Sequence, residues 1–221
     1  MALSPEDHAA VAAAIGKAEA TTSGEIFCVF TEASDDLTVV PLAYAALAAL
    51  VLPPLFLWFG VFDPAWFGEW RTTSTITVHE VVTVHVALSA LLFAGVWLLL
   101  QWRPLRFAMA PKSLKQANAD RAAMESFLSH GIHTTEERTG VLIFLSRAEH
   151  VAEVVADEGI NAKVGEEVWG DIVEAMLAEA RQGNLAAAFV RAVERAGAVL
   201  TEHFPPRPGN PNELPDKLIE L

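Results

Sequence analysis

The sequence predicts an α/β domain interrupted by a two-helix membrane hairpin, and three observations carry that prediction. Two long uncharged apolar runs sit in the first half of the chain. Short apolar segments rich in β-branched and aromatic residues lie on both sides of them. Segments of helical periodicity alternate with those strands, the pattern of an α/β fold.

At the N-terminus, Ser4-Pro5-Glu6-Asp7 combines an N-cap serine, proline at the first helical position and an acid at the third, which predicts a helix to about Ala20. Val11, Ile15 and Ala18 fall on one face of it. Thr22, Ser23 and Gly24 break the helix, and EIFCVFT, Glu25 to Thr31, reads as a buried strand. Cys28 is the sole cysteine, so the chain forms no internal disulfide and no cysteine-based zinc cluster, and inside EIFCVF it reads as a small buried hydrophobe. The opening MALSPEDHAA lacks the basic start and apolar core of a secretory signal.

The runs at 39–62 and 81–102 each exceed the ~20 residues that a helix needs to cross a hydrocarbon core. Pro53 and Pro54 remove backbone donors within the first and predict a kink there. Trp58, Phe59, Trp66, Phe67 and Trp70 gather at the connecting segment and Trp97 and Trp102 at the other exit, as interfacial anchors would. Arg103, Arg106, Lys112 and Lys115 follow the second run, whereas Arg71 is the lone basic residue of the connection. The positive-inside rule then places the C-terminal part, and with it the N-terminus, on the cytoplasmic face of a bacterial plasma membrane. His79, Glu80 and His85 at the entry to the second run suit either a relay or ordinary interfacial hydrogen bonding.

Beyond the hairpin, Pro111 to His130 has helical spacing, with Leu114, Ala117, Met124, Phe127 and Leu128 as its apolar face and Gly131 as its stop. TGVLIFLS, Thr139 to Ser146, and HVAEVVAD, His150 to Asp157, read as a β-hairpin about the turn Arg147-Ala148-Glu149. Val168, Trp169, Ile172, Val173, Met176 and Leu177 mark one helix, and Leu185, Phe189, Val193, Ala196 and Leu200 a second after Gly183-Asn184. The proline-rich ending is expected to lie extended on the surface, with a short terminal helix or docking segment. The expected division is therefore 1–38 and 103–205 for the α/β domain, 39–102 for the hairpin and 206–221 for the tail. A net charge of −13, with no block of Lys or Arg, argues against a nucleic-acid partner.

The order of these elements, with TTSGEIFCVFTEAS early and GIHTTEERTGVLIFLSRAEHVAEVVADEGINAKVGEEVW later, resembles the TPM-domain family. The likeness covers most of 1–38 and 107–205 and rests on Ser23-Gly24-Glu25-Ile26, Thr139-Gly140-Val141-Leu142 and Gly159. It implies a three-layer α/β/α sandwich, in some relatives a bound divalent cation and in some an acid phosphatase activity. Many relatives are exported and carry a C-terminal anchor, whereas here the apolar hairpin lies inside the domain.

Asp157 and Glu158 end a core strand, where paired acids form either a solvated turn or the start of a site for Ca²⁺ or Mg²⁺, with a turn carbonyl near Gly159 or Asn161. Further oxygens would have to come from Asp35, Asp36, Glu136 or Glu137, and Arg138 is a candidate partner for a phosphoryl charge. No P-loop and no G-x-S-x-G elbow is present. His130 and His133 flank Gly131 as either a metal pair or helix-end histidines. Two functions follow: a membrane-tethered, non-enzymatic interaction or assembly domain with a possible membrane-protein partner, or a divalent-cation-dependent acid phosphatase.

Overall fold

The computed structural model describes residues 3–61, 77–207, 209 and 211–221. The connection that carries Trp66, Phe67, Trp70 and Arg71 lies outside them. The chain divides into two compact units, Met1–Asp35 with Lys112–Leu221, and Asp36–Pro111.

The first unit is built on helix α1 (Pro5–Glu19), strand β1 (Glu25–Thr31), helix α5 (Lys112–Ser129), strands β2 (Gly140–Ser146) and β3 (Val151–Ala156), helices α6 (Glu158–Asn161), α7 (Glu166–Ala180) and α8 (Leu185–His203), and strand β4 (Leu218–Glu220). The sheet order is β3-β2-β1-β4. β1 pairs parallel with β2 in an unbroken register from Glu25 opposite Gly140 to Thr31 opposite Ser146. β2 and β3 form the antiparallel hairpin that the sequence predicts. β4 adds three residues parallel to β1, Leu218 to Glu220 opposite Cys28 to Phe30, so the tail does dock, as an edge strand.

Strand alternation divides the apolar residues between two layers. Ile26, Cys28, Phe30, Val141, Ile143 and Leu145 meet α1, α7 and α8 on one face. Phe27, Val29, Leu142 and Phe144 meet α5 on the other. Both β1 and β2 are buried along their whole length, which is why neither reads as an alternating strand. This is the three-layer α/β/α arrangement.

The start of α1 is a full capping box, in which Asp7 N donates to Ser4 Oγ (3.1 Å) and Ser4 N donates to Asp7 Oδ2 (2.8 Å). One expected helix face needs correction. In α5 the buried residues are Asn118, Ala119, Ala123, Ser126 and Phe127, while Met124 and Leu128 are about half exposed. Phe27, Leu142 and Phe144 already fill the sheet side of that layer, so the helix approaches with its small side chains inward.

The second unit holds α2 (Val39–Trp58), α3 (Val78–Leu99) and α4 (Arg103–Met109). α2 and α3 are 20 and 22 residues long, pack on each other and are apolar enough to cross a membrane by length and composition. Pro53 and Pro54 lie within α2. Thr77 and Glu80 close a capping box at the start of α3, so Glu80 serves the helix end. Arg106 is 8 % exposed and donates to Leu100 O and Gln101 O at the exit of α3 and to Asp36 O before α2. Its charge is thus spent inside the unit rather than offered to lipid headgroups.

α1 and α8 cross closely because Gly197 faces Ala18; a Cβ at Gly197 would lie 2.7 Å from the Ala18 Cβ. Gly197→Leu is expected to push the helices apart and cost about 1–3 kcal/mol, read as a lower urea midpoint in detergent. An unchanged midpoint would contradict this crossing.

Candidate functional site

Parallel strands direct their carboxyl ends to one edge, the usual location of a site in an open α/β sheet. Here the segments after β1 and β2 are tied together by Glu149. Its carboxylate, 4 % exposed, accepts from Ser34 N (3.0 and 3.2 Å), Asp35 N (3.4 Å) and the Ser146 hydroxyl. Arg147 N and Ala148 N donate to Thr31 O and Glu32 O, and the Arg147 guanidinium pairs with Glu32 at 2.8 Å. His150 closes the turn with φ +57°, a left-handed conformation that an ordinary side chain rarely adopts.

Beside this turn opens a cavity of about 710 Å³, lined by Ser146, Arg147, His150, Arg181, Asp7 and the first residues of α8 among others. The N-cap of α8, Asn184, makes no side-chain cap, and no acid occupies the first turn. The wall carries both signs, since Asp7 faces the same space as the two arginines. Sequence reasoning missed this edge, because Glu149 reads only as a turn residue until β1 is laid beside β2.

Asp157 stands at the opposite edge. Its backbone N–H continues the sheet ladder to Gly140 O, and its side chain caps α6, with Oδ1 accepting from Glu158 N at 2.7 Å. The Arg138 guanidinium lies 3.7 Å from Oδ1, while Oδ2 is buried without a hydrogen-bond partner. Glu158 itself is exposed. Gly159 packs so tightly under the preceding loop that a Cβ there would lie 2.5 Å from Glu137 O, which explains a glycine at this position. Glu137 pairs with Arg207 at 2.6 Å, and Glu136 N donates to Glu213.

Strand direction keeps Asp35, a candidate for further oxygens, away from the turn of Asp157 and Glu158. Asp35 follows the carboxyl end of β1 and Asp157 lies beside its amino end, so the seven-residue strand, roughly 20 Å long, separates them. Asp35 is instead 3.3 Å from Arg121, and Asp36 is 3.8 Å from Arg103. Among the described residues, no group of three or more His, Cys, Asp or Glu side chains is placed to hold a metal ion. One capping carboxylate beside a guanidinium does not fit Ca²⁺ or Mg²⁺, which need several oxygens.

His130 and His133 likewise have separate surroundings. His130 Nδ1 is 2.9 Å from Ser126 O and its ring lies 4.9 Å from that of Phe27, whereas His133 faces Phe127. Cys28 is fully buried, and burial pushes its thiol pKa up, so it acts as core.

A second acidic cluster was also missed. Glu19 Oε1 accepts from Ile26 N at 2.8 Å and Glu25 Oε2 from Leu214 N at 3.1 Å, with Glu213 and Asp216 of the tail beside them. Burial, opposed in part by the bond from Ile26 and reinforced by Glu25 and Asp216, pushes the Glu19 carboxyl up to about 8. Burial also raises Glu25. Across α5 and β3, burial and Asp120 push Glu153 up to about 7.

Residues 105–199 match the model of the TPM domain family. The solved NMR structure of BA42 protein from the psychrophilic bacterium Bizionia argentinensis is similar in fold, with a TM-score of 0.56 at 21 % identity over 100 % of this chain and 96 % of that one. No curated protein matches the chain.

Glu149→Ala removes the acceptor for two loop amides and the Ser146 hydroxyl, and is expected to cost roughly 2–3 kcal/mol by denaturant titration. It should also speed hydrogen exchange at Ser34 and Asp35. In calorimetric titration with Ca²⁺ or Mg²⁺, the pair of changes Asp157→Asn and Glu158→Gln should leave any heat of binding as it is in the parent chain. A saturable signal abolished by those changes would restore the turn as a cation site.

Proposed function

We propose that the protein is a membrane-tethered TPM-domain protein that acts as an interaction or assembly factor rather than as an enzyme. One observation carries this reading: the first strand and the rest of its sheet are separated in the chain by two packed helices, of 20 and 22 residues, whose apolar side chains are largely exposed. An apolar surface of that length needs lipid or protein to cover it. With both ends of the helix pair running into the α/β unit, the bilayer would hold the domain at two points.

The reading places both termini on the cytoplasmic face, from the bias in basic residues. Arg103, Lys112 and Lys115 sustain that bias once Arg106 is set aside. The surface offered to a partner is the carboxyl edge of β1 and β2, where Arg181 and His150 are exposed beside the cavity. The alternative, a divalent-cation-dependent acid phosphatase, follows from the family resemblance and would need oxygen donors beyond those that Asp157 provides.

Two measurements test the reading. The full chain should stay with the membrane pellet after alkaline carbonate extraction, and release into the supernatant would overturn the tether. Purified protein should show no metal-stimulated hydrolysis of p-nitrophenyl phosphate above a denatured control between pH 4 and 7; turnover that Ca²⁺ or Mg²⁺ stimulates would favour the alternative.

A further inference from the structure

β3 stands at one edge of the sheet, with β2 on one side and no strand on the other. The bond from Asp157 N to Gly140 O fixes which backbone groups of β3 face β2. Residues 151, 153 and 155 share that direction, so Ala152, Val154 and Ala156 turn their N–H and C=O groups to the open edge. Ala156 O is taken there by Asn161 Nδ2, at 2.8 Å. Among the described residues, no hydrogen bond reaches the outward groups of Ala152 and Val154. Ala152 is 3 % exposed, and backbone groups so buried are almost always paired.

This edge forms the floor of a groove of about 560 Å³ between α5 and α7. Its two walls differ in chemistry. On the α7 side stand Val173 and Trp169; the indole is 7 % exposed and its N–H is buried without a hydrogen-bond partner. On the α5 side lies Glu153, on the same strand face as Val151 and Val155, which pack into the α5 layer. Gln116 Nε2 donates to Glu153 and also to Asp120, at 3.0 Å for the latter. Among the described residues neither carboxylate is held in an ion pair.

We infer that the groove accepts an added β-strand, an extended segment of a partner protein with Lys or Arg on the face beside Glu153 and apolar side chains on the face toward Trp169. Carbonyls of that strand accept from the N–H groups of Ala152, Val154 and Ala156, and its own N–H groups donate to Ala152 O and Val154 O. Another of its carbonyls supplies the acceptor that the Trp169 indole lacks. Because a strand sends alternate side chains to opposite faces, one segment meets the acidic wall and the apolar wall together. Charge favours this occupant over a second copy of the chain. Two β3 edges paired about a two-fold axis would set both Glu153–Asp120 pairs on one face, in a chain of net charge −13.

The inference rests on the proposed interaction role and gives the chemistry of a partner at a second surface, apart from the carboxyl edge of β1 and β2. Carbonate extraction reads the membrane tether, whereas the groove is read at β3, so either can fail alone.

The probe is a short end-blocked peptide that alternates valine and lysine, added at millimolar concentration to the full chain in detergent. Hydrogen exchange on the fragment covering 150–157 should slow by about fivefold or more. A peptide of the same composition with its lysines in one block should leave that exchange unchanged. Val154→Pro removes an outward donor while sparing the ladder to β2, and Glu153→Gln removes the charge. Each should weaken the alternating peptide by about threefold or more in fluorescence anisotropy, with circular dichroism that matches the parent. Exchange that the alternating peptide does not slow, equal effects of the two peptides, or folded variants with parental affinity would overturn the inference. Slowing at 150–157 on concentrating the chain without peptide would also overturn it, by assigning the edge to a second copy.

Discussion

Everything in the α/β unit depends on the parallel ladder between β1 and β2. A parallel pair cannot be closed by a tight turn, and it requires a crossover. In this chain the crossover contains both the apolar helix pair and α5. Seven consecutive residues on each strand are buried on both faces, so a slip of one residue would reverse which side chains meet α5 and which meet α1, α7 and α8. The ladder also sets the two edges of the sheet, and thereby which carboxylates can meet.

That last consequence explains what was legible in the sequence and what was not. The apolar runs, the hairpin of β2 and β3 and the capping box of Ser4 and Asp7 are local patterns, and the structure keeps them. Cys28 is core for the same reason, because its strand is uniformly apolar. The grouping of Asp35 with Asp157 failed because strand direction is not a local property. α6 escaped notice because four residues are too few to show helical periodicity. In α5, apolar periodicity pointed to Met124 and Leu128, while the crowded sheet face selected Ala119, Ala123 and Ser126.

The carboxylates show how one residue type acquires different roles. Asp157 caps a helix beside Arg138, and Glu149 gathers loop amides in a buried position. Both are supplied with donors. Glu19 accepts from one amide and lies near other acids, and burial pushes its carboxyl up to about 8. An acidic chain of net charge −13 carries its surface repulsion at little cost where water screens it, but the tail brings that repulsion into a half-buried seam.

On the proposed reading, the bilayer holds the α/β unit through the apolar helix pair inserted within its sequence. The most direct test reconstitutes variants that keep a single tryptophan into vesicles of brominated lipid. Trp97, exposed on α3, should be strongly quenched, whereas Trp169, buried in the α/β core, should retain its fluorescence. Unquenched Trp97 in protein that remains folded would contradict the account.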